Sequence, residues 1–171
     1  MDKFRILMAS SEAGPFARTG GLGDVLAALP DALAALGHEV VVCIPRYGFI
    51  DEDTYRLAPL EGAVSIPLDG KTYPVTVETT PHQPGRVINY FLSNDEFFDR
   101  SELYRDPDTG KDYKDNDLRF ALFGRAVLEV AKKLDWQPDI IHVHDWQAAP
   151  VLAYLKTVYA DDPFFARAAT V

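Results

Sequence analysis

Arg18 lies in a ten-residue stretch, 14–23, that contains four glycines (Gly14, Gly20, Gly21 and Gly23) and leads from an apolar run into a helical pattern. A fixed cation beside main chain stripped of side chains is suited to an anion. Glycines let a ligand reach the backbone, and the free N–H groups and positive dipole end of a helix start attract negative charge. The stretch reads as a phosphate-approach loop. It matches neither standard fingerprint: G-x-G-x-x-G begun at Gly21 and Gly23 needs glycine where Leu26 stands, and no full G-x-x-x-x-G-K-S/T of the P-loop type occurs. The same residues also fit a plain strand-to-helix turn with Asp24 as the helix cap, and the local pattern does not separate the two.

A second group follows far along the chain at His142-Val143-His144-Asp145-Trp146. In a strand His142 and His144 share a face, and the carboxyl ends of parallel strands line the crevice where open α/β sheets bind ligands. His144, Asp145 and Trp146 are therefore expected to meet the glycine loop on one rim. A carboxylate beside an aromatic face suits sugar hydroxyls and the apolar side of a pyranose. Two histidines and a carboxylate could instead hold a metal. The His-x-His-x-Asp-His pattern of dinuclear hydrolases, however, is broken by Trp146 and Gln147, and no metal is expected. The plain structural alternative makes His142 a satisfied core histidine and Asp145 a helix cap. No Ser-His-Asp or Cys-His order stands out.

The elements that must position these groups alternate. Residues 4–10 read as a buried strand, and 24–36 as a helix through Val25, Leu26, Leu29, Leu33 and Leu36, with Pro30 expected to kink it or displace its start. Gly37-His38 stops that helix and 39–44 is a second strand, completing a βαβ unit of a parallel sheet. After an aperiodic stretch, 45–62, residues 63–80 read as a hairpin turning at Asp69-Gly70 that caps one sheet edge. Strand 86–92, a polar surface loop at 93–112, helix 117–134, strand 139–144, helix 148–159 with Pro150 in its first turn, and a strand starting at 168–171 complete the pass. The fold class is α/β, a Rossmann-like doubly wound and mainly parallel sheet with helices on both faces and a β-hairpin. A chain that stops on entering a strand is expected to be one lobe of a longer protein.

With 171 residues, 47% of them hydrophobic, the chain can bury a core and suits one domain, 1–171. A formal net charge of -9 argues against a nucleic-acid surface, so a phosphorylated ligand must be held by local geometry around Arg18. The single cysteine, Cys43, precludes an internal disulfide and reads as a small buried hydrophobe. There is no signal-peptide pattern and no apolar stretch approaching the ~18 residues of a membrane span. A cytoplasmic protein without a membrane partner is expected.

Taken together, the chain resembles the N-terminal lobe of bacterial glycogen synthases and plant starch synthases, the ADP-glucose-dependent glucosyltransferases of the two-lobed GT-B fold. The resemblance runs nearly end to end. It rests on Ser10-Ser11-Glu12-Ala13-Gly14-Pro15-Phe16, Thr19-Gly20-Gly21-Leu22-Gly23-Asp24-Val25, Leu29-Pro30 and Leu36-Gly37-His38, and continues through Pro45-Arg46-Tyr47, Tyr113-Lys114-Asp115-Asn116, Arg119-Phe120 and His142-Val143-His144-Asp145-Trp146-Gln147.

The resemblance implies retaining transfer of glucose from ADP-glucose to the non-reducing end of an α-1,4-glucan, with no cofactor or metal. The family's nucleotide sits mainly on a C-terminal lobe, the missing partner here. Where the family usually carries lysine before Thr-Gly-Gly-Leu, this chain has Arg18, which keeps the charge but brings a planar, bulkier head. Carried over by position, Gly20 and Gly21 would contact the pyrophosphate and Asp145 would hold hydroxyls of the transferred glucose. Tyr104 would stand near the sugar, and Glu12, at the end of the first strand, is a further candidate. Two other readings remain: a GT-B enzyme with a different nucleotide-sugar donor, and a non-catalytic glucan-binding module.

Overall fold

The computed structural model describes residues 2–82 and 85–171. Strand β1 (Arg5–Ala9) and strand β2 (Glu39–Pro45) are buried along almost their whole length, as strands covered on both faces must be. Helix α1 (Gly21–Ala35) joins them. After a short helix α2 (Glu52–Tyr55) and a two-residue strand β3 (Ala58–Pro59) come β4 (Val64–Leu68) and β5 (Lys71–Thr79). These last two alternate buried and exposed residues, the signature of a sheet packed on one side only. Strand β6 (Ile88–Ser93), helices α3 (Asp95–Phe98) and α4 (Asn116–Lys133), strand β7 (Ile140–Val143), helices α5 (Asp145–Ala148) and α6 (Pro150–Lys156), and strand β8 (Ala169–Thr170) complete the chain.

The sheet order is β3-β5-β6-β2-β1-β7-β8, with β4 paired to β5 off that path. The five strands from β6 to β8 are parallel and β5 runs antiparallel to β6, with the short β3 outside it, so the structure is the open, mainly parallel sheet that the pattern implies. From β1 the chain winds one way to β2 and from β6 it returns across the sheet to β7. Right-handed crossovers therefore put α1 on one face and α4 on the other, where α4 packs against α6 and β4. The hairpin turns at Asp69 and Gly70, both at positive φ, and caps the edge as expected.

Several expectations need correction. Helix α1 begins at Gly21 rather than 24 and runs through a buried Pro30 without its start being displaced. Asp24 is not the cap: Gly20 holds that position without a side-chain bond, and Asp24 pairs instead with Arg18 at 2.7 Å. The helix expected at 148–159 is shorter, α6 with Pro150 at its first position and Lys156 at its last, and a separate four-residue helix, α5, precedes it. The stretch 93–112 is not simply a surface loop. Phe97, Phe98 and Leu103 are buried in it, three apolar anchors hidden among charged neighbours. Cys43 is buried and free, and burial pushes its thiol up to about 12. Among the described residues no helix is long and apolar enough to cross a membrane.

Candidate functional site

The two groups singled out in the sequence stand at the carboxyl ends of neighbouring strands. Ala9 of β1 is in register with Val143 of β7, and the His144 amide donates to the Ala9 carbonyl at 2.9 Å. From that rim the chain enters the glycine loop on one side and α5 on the other.

Glu12 organises the first side. Only 4% exposed, its carboxylate accepts the Thr19 amide and the Thr19 hydroxyl, both at 2.7 Å, a long contact from the Gly20 amide at 3.4 Å, and the Tyr104 hydroxyl at 2.8 Å. Burial alone would raise its pKa. The donors, Thr19 foremost, outweigh burial and hold the group below the usual glutamate value, so it stays an anion without a cationic partner. A tyrosine has one proton, and Tyr104 spends it on Glu12, so the Ser11 hydroxyl, 2.8 Å away, donates to the Tyr104 oxygen. Burial first, then the bond to Glu12 and the charges of Glu12 and Asp145, push the Tyr104 pKa far up, which keeps it a donor.

The loop is closed by main-chain bonds from Ala13 to Ala17 and from the Gly14 amide to the Gly23 carbonyl. Its glycines differ in what they do. A Cβ on Gly23 would lie 2.5 Å from Arg18 Cγ and 3.1 Å from Arg18 Cα, so glycine there is demanded by packing. Gly20 and Gly21 are exposed, have open space around a would-be Cβ, and are not among the positive-φ residues. Neither local packing nor backbone conformation accounts for the pair. At this point α1 begins, presenting first-turn amides with no intrahelical acceptor. Arg18 is exposed. Paired with Asp24, it lines a cleft of about 480 Å³ on the α1 side with Phe16, Pro30 and Asn89.

On the β7 side Asp145 is exposed and has φ +65°, a left-handed conformation that costs a non-glycine residue about 1 kcal/mol or more. Its Oδ1 accepts the Trp146 amide at 2.7 Å. Asp145 opens α5 rather than capping it, since His144 holds the cap position. Trp146 is 54% exposed, and its ring meets Phe120 edge to face at 5.3 Å. Phe120 lies 6.1 Å from the Tyr104 ring, so an aromatic row runs from one side of the rim to the other. His142 and His144 stack at 4.1 Å. Burial, and then the neighbouring His142, bring His144 down to about 4, so it is a neutral imidazole, and its Nε2 is buried without a partner. His142 is half-buried and lowered by burial. Among the described residues no group of three or more His, Cys, Asp or Glu side chains could hold a metal ion.

Sequence reasoning named Thr19 and Arg119 within the resemblance but gave neither a role. Arg119 is wholly buried, donating through Nε to the Phe97 carbonyl at 2.7 Å and through Nη1 to the Leu103 carbonyl at 2.8 Å and to Asn116 Oδ1 at 2.7 Å. Asn116 Nδ2 in turn donates to the Tyr104 carbonyl at 2.9 Å, and Arg100 grips Asp115 through two bonds. The segment that presents Tyr104 is thus tied down from α4. The available signal was two polar residues, Asn116 and Arg119, on the stripe of α4 that continues as Phe120, Phe123 and Val127.

Comparison with known proteins places the whole architecture. Residues 5–171 match the family model described as starch synthase catalytic domain. The chain is 44% identical to glycogen synthase 2 of Geobacter sulfurreducens over 167 residues, 98% of this chain and 34% of that protein. It is also 44% identical to the glycogen synthase of Elusimicrobium minutum over 95% of this chain and 33% of that one. The chain therefore spans about a third of the length of the curated relatives it matches. Among solved structures, the catalytic domain of starch synthase IV from Arabidopsis thaliana, bound to ADP and acarbose, superposes with a TM-score of 0.85 at 31% identity, covering 99% of this chain and 33% of that one.

Proposed function

The chain belongs to the starch synthase catalytic domain family, and from that premise we propose that residues 1–171 form the N-terminal, Rossmann-like lobe of a cytoplasmic glycogen synthase. The whole enzyme moves glucose from ADP-glucose to the non-reducing end of an α-1,4-glucan with retention of configuration. The nucleotide is held mainly by a C-terminal lobe that closes over this rim. The starch synthase IV structure with ADP and acarbose supports a nucleotide and a glucan-like sugar as the two ligands.

In this reading the first-turn amides of α1 and the bare main chain at Gly20 and Gly21 face the diphosphate, and Arg18 leaves Asp24 to add its charge. Asp145 takes glucose hydroxyls, Trp146 offers its exposed ring to a pyranose face, and Tyr104 and His144 complete the wall. These groups hold the sugar while ADP departs, so their contribution is positioning and electrostatic stabilisation of developing charge. The observation that carries the proposal is the pair Gly20 and Gly21, which neither φ nor packing explains, set beside a strained, exposed Asp145 on the adjacent strand end.

The test is transfer by the full-length protein onto maltooligosaccharide with ADP-glucose or UDP-glucose as donor. Faster turnover of ADP-glucose is expected. A clear preference for UDP-glucose would replace the donor assignment, and no transfer from either would remove the enzymatic reading in favour of a glucan-binding module.

A further inference from the structure

The hydrogen bonds of Glu12 reach both halves of the rim. Thr19 and Gly20 belong to the glycine loop ahead of α1, whereas Tyr104 belongs to the segment between α3 and α4, which Arg119 and Asn116 fasten to the core. Between those two pieces stands one buried carboxylate. We propose that Glu12 is a positioning residue that joins the glycine loop to the Tyr104 segment, so that the phosphate-facing and sugar-facing halves of the cleft are ordered as one unit. The assignment of the halves rests on the function proposed above. The joint itself rests on geometry alone.

Three features favour a joint over a direct ligand contact. The Glu12 side chain is buried and takes four donor contacts from the protein, which leaves little lone-pair capacity for a substrate hydroxyl. Its short bond takes the Thr19 amide and its 3.4 Å contact draws on that of Gly20, so the donors left for a phosphate are the helix amides from Gly21 onward, and Gly20 serves the phosphate only by leaving the main chain bare of a side chain. Finally, a second anion close to an incoming diphosphate is tolerable only if its charge is already absorbed, and the two short bonds from Thr19 with the one from Tyr104 do that. Tyr104 then acts in two ways, through its ring toward the cleft and through its hydroxyl on the loop. A ligand that orders either half lowers the ordering cost of the other.

The experiment uses the full-length protein with Tyr104→Phe, which deletes only the hydroxyl, Glu12→Gln, which keeps shape but replaces an acceptor by a donor, and the double variant. Without ligand, Tyr104→Phe is expected to speed amide hydrogen exchange at Thr19 and Gly20 about tenfold, the scale of one charge-assisted hydrogen bond. Unchanged exchange there would overturn the joint, whatever the protein turns over. In kinetics with ADP-glucose, Tyr104→Phe is expected to raise the donor KM about tenfold in the native background and less than twofold beside Glu12→Gln. Multiplicative effects would mean that Tyr104 and Glu12 act separately, and would sink the proposal. If Glu12→Gln does not fold, Thr19→Val, which removes the hydroxyl donor to Glu12, takes its place in the same cycle. Absence of turnover in the native protein would count against the proposed function and leave the exchange result to decide this point.

Discussion

At Asp145 charge and backbone strain coincide on one exposed residue, and the two can be separated by substitution. Asparagine tolerates φ near +65° and can still accept the Trp146 amide, so Asp145→Asn removes charge alone. Transfer activity is expected to fall about a hundredfold with the melting temperature nearly unchanged, as for loss of one preorganised contact. Asp145→Gly relieves the strain and is expected to stabilise the fold by up to about 1 kcal/mol while still abolishing transfer. A variant that melts higher and keeps full activity would show that the strain serves no ligand. His144 gives a different signature. Its pKa, lowered to about 4, lies below that of an exposed histidine, so between about pH 6.5 and 4 the unfolded chain binds a proton that the folded one refuses. Stability therefore declines as pH falls through that window, by about 2 kcal/mol once solvent screening is allowed for, and His144→Gln should flatten a plot of denaturation midpoint against pH there. The lowered Glu12 carboxyl has the same sign but acts lower, its stabilisation present above the ordinary glutamate value and lost as pH falls beneath it. Asp145 was legible as a candidate because a carboxylate beside Trp146 carries chemistry, whereas Tyr104 entered only through the family resemblance. The role of Glu12 was not legible, because it depends on which donors the fold brings to it across 92 residues of chain.

Element by element, the glycine loop and α1 separate what glycine does for folding from what it does for a ligand. Gly23→Ala pushes a methyl into the root of the Arg18 side chain, so it should cost about 1–3 kcal/mol and distort the loop. Gly21→Ala, at the first position of α1 with open space around it, should be neutral or slightly stabilising. Yet it should weaken donor binding about tenfold or more if a phosphate approaches the main chain there. Titration of both variants with ADP-glucose beside their melting curves checks the contrast, and equal donor affinity in Gly21→Ala would argue against the phosphate assignment. Helix α4 invites a parallel test. Arg119→Met removes three donor contacts and strands the Phe97 and Leu103 carbonyls, so a loss of at least about 3 kcal/mol in urea denaturation is expected. The longer strands and the two long helices were legible because their apolar spacing runs for many residues, whereas β3, two residues inside a stretch read as aperiodic, was not. The four-residue helices α2, α3 and α5 are too short to show a period, and what fixes α3 is the burial of Phe97 and Phe98 against a core the sequence does not display.

For the whole molecule the question is whether this lobe can stand alone. Its core is continuous from the β4–β5 hairpin through β6, β2, β1 and β7 to Val151, Tyr159 and Phe165, and beyond β7 the two exposed residues of β8 form the far edge, with the Val171 amide and carbonyl both bonded to β7. The described residues bury that core against one another, so the 171-residue chain is expected to fold and melt cooperatively. The rim is different in kind. It carries an exposed tryptophan, a strained carboxylate, helix-start amides without an intrahelical acceptor and an arginine neutralised by Asp24, all facing solvent where water screens each contribution. A net charge of -9 adds a repulsive background for any nucleotide diphosphate. Local amides can overcome that field only where water is excluded, which a single open rim does not achieve and closure of a second lobe would. The purified chain should accordingly bind maltooligosaccharide weakly through the aromatic row and show no measurable glucose transfer from ADP-glucose. Joined to the C-terminal lobe proposed above, the same rim should turn over. Incorporation of labelled glucose by the isolated chain would mean that the site is complete within these residues, and that the division of labour between lobes is wrong.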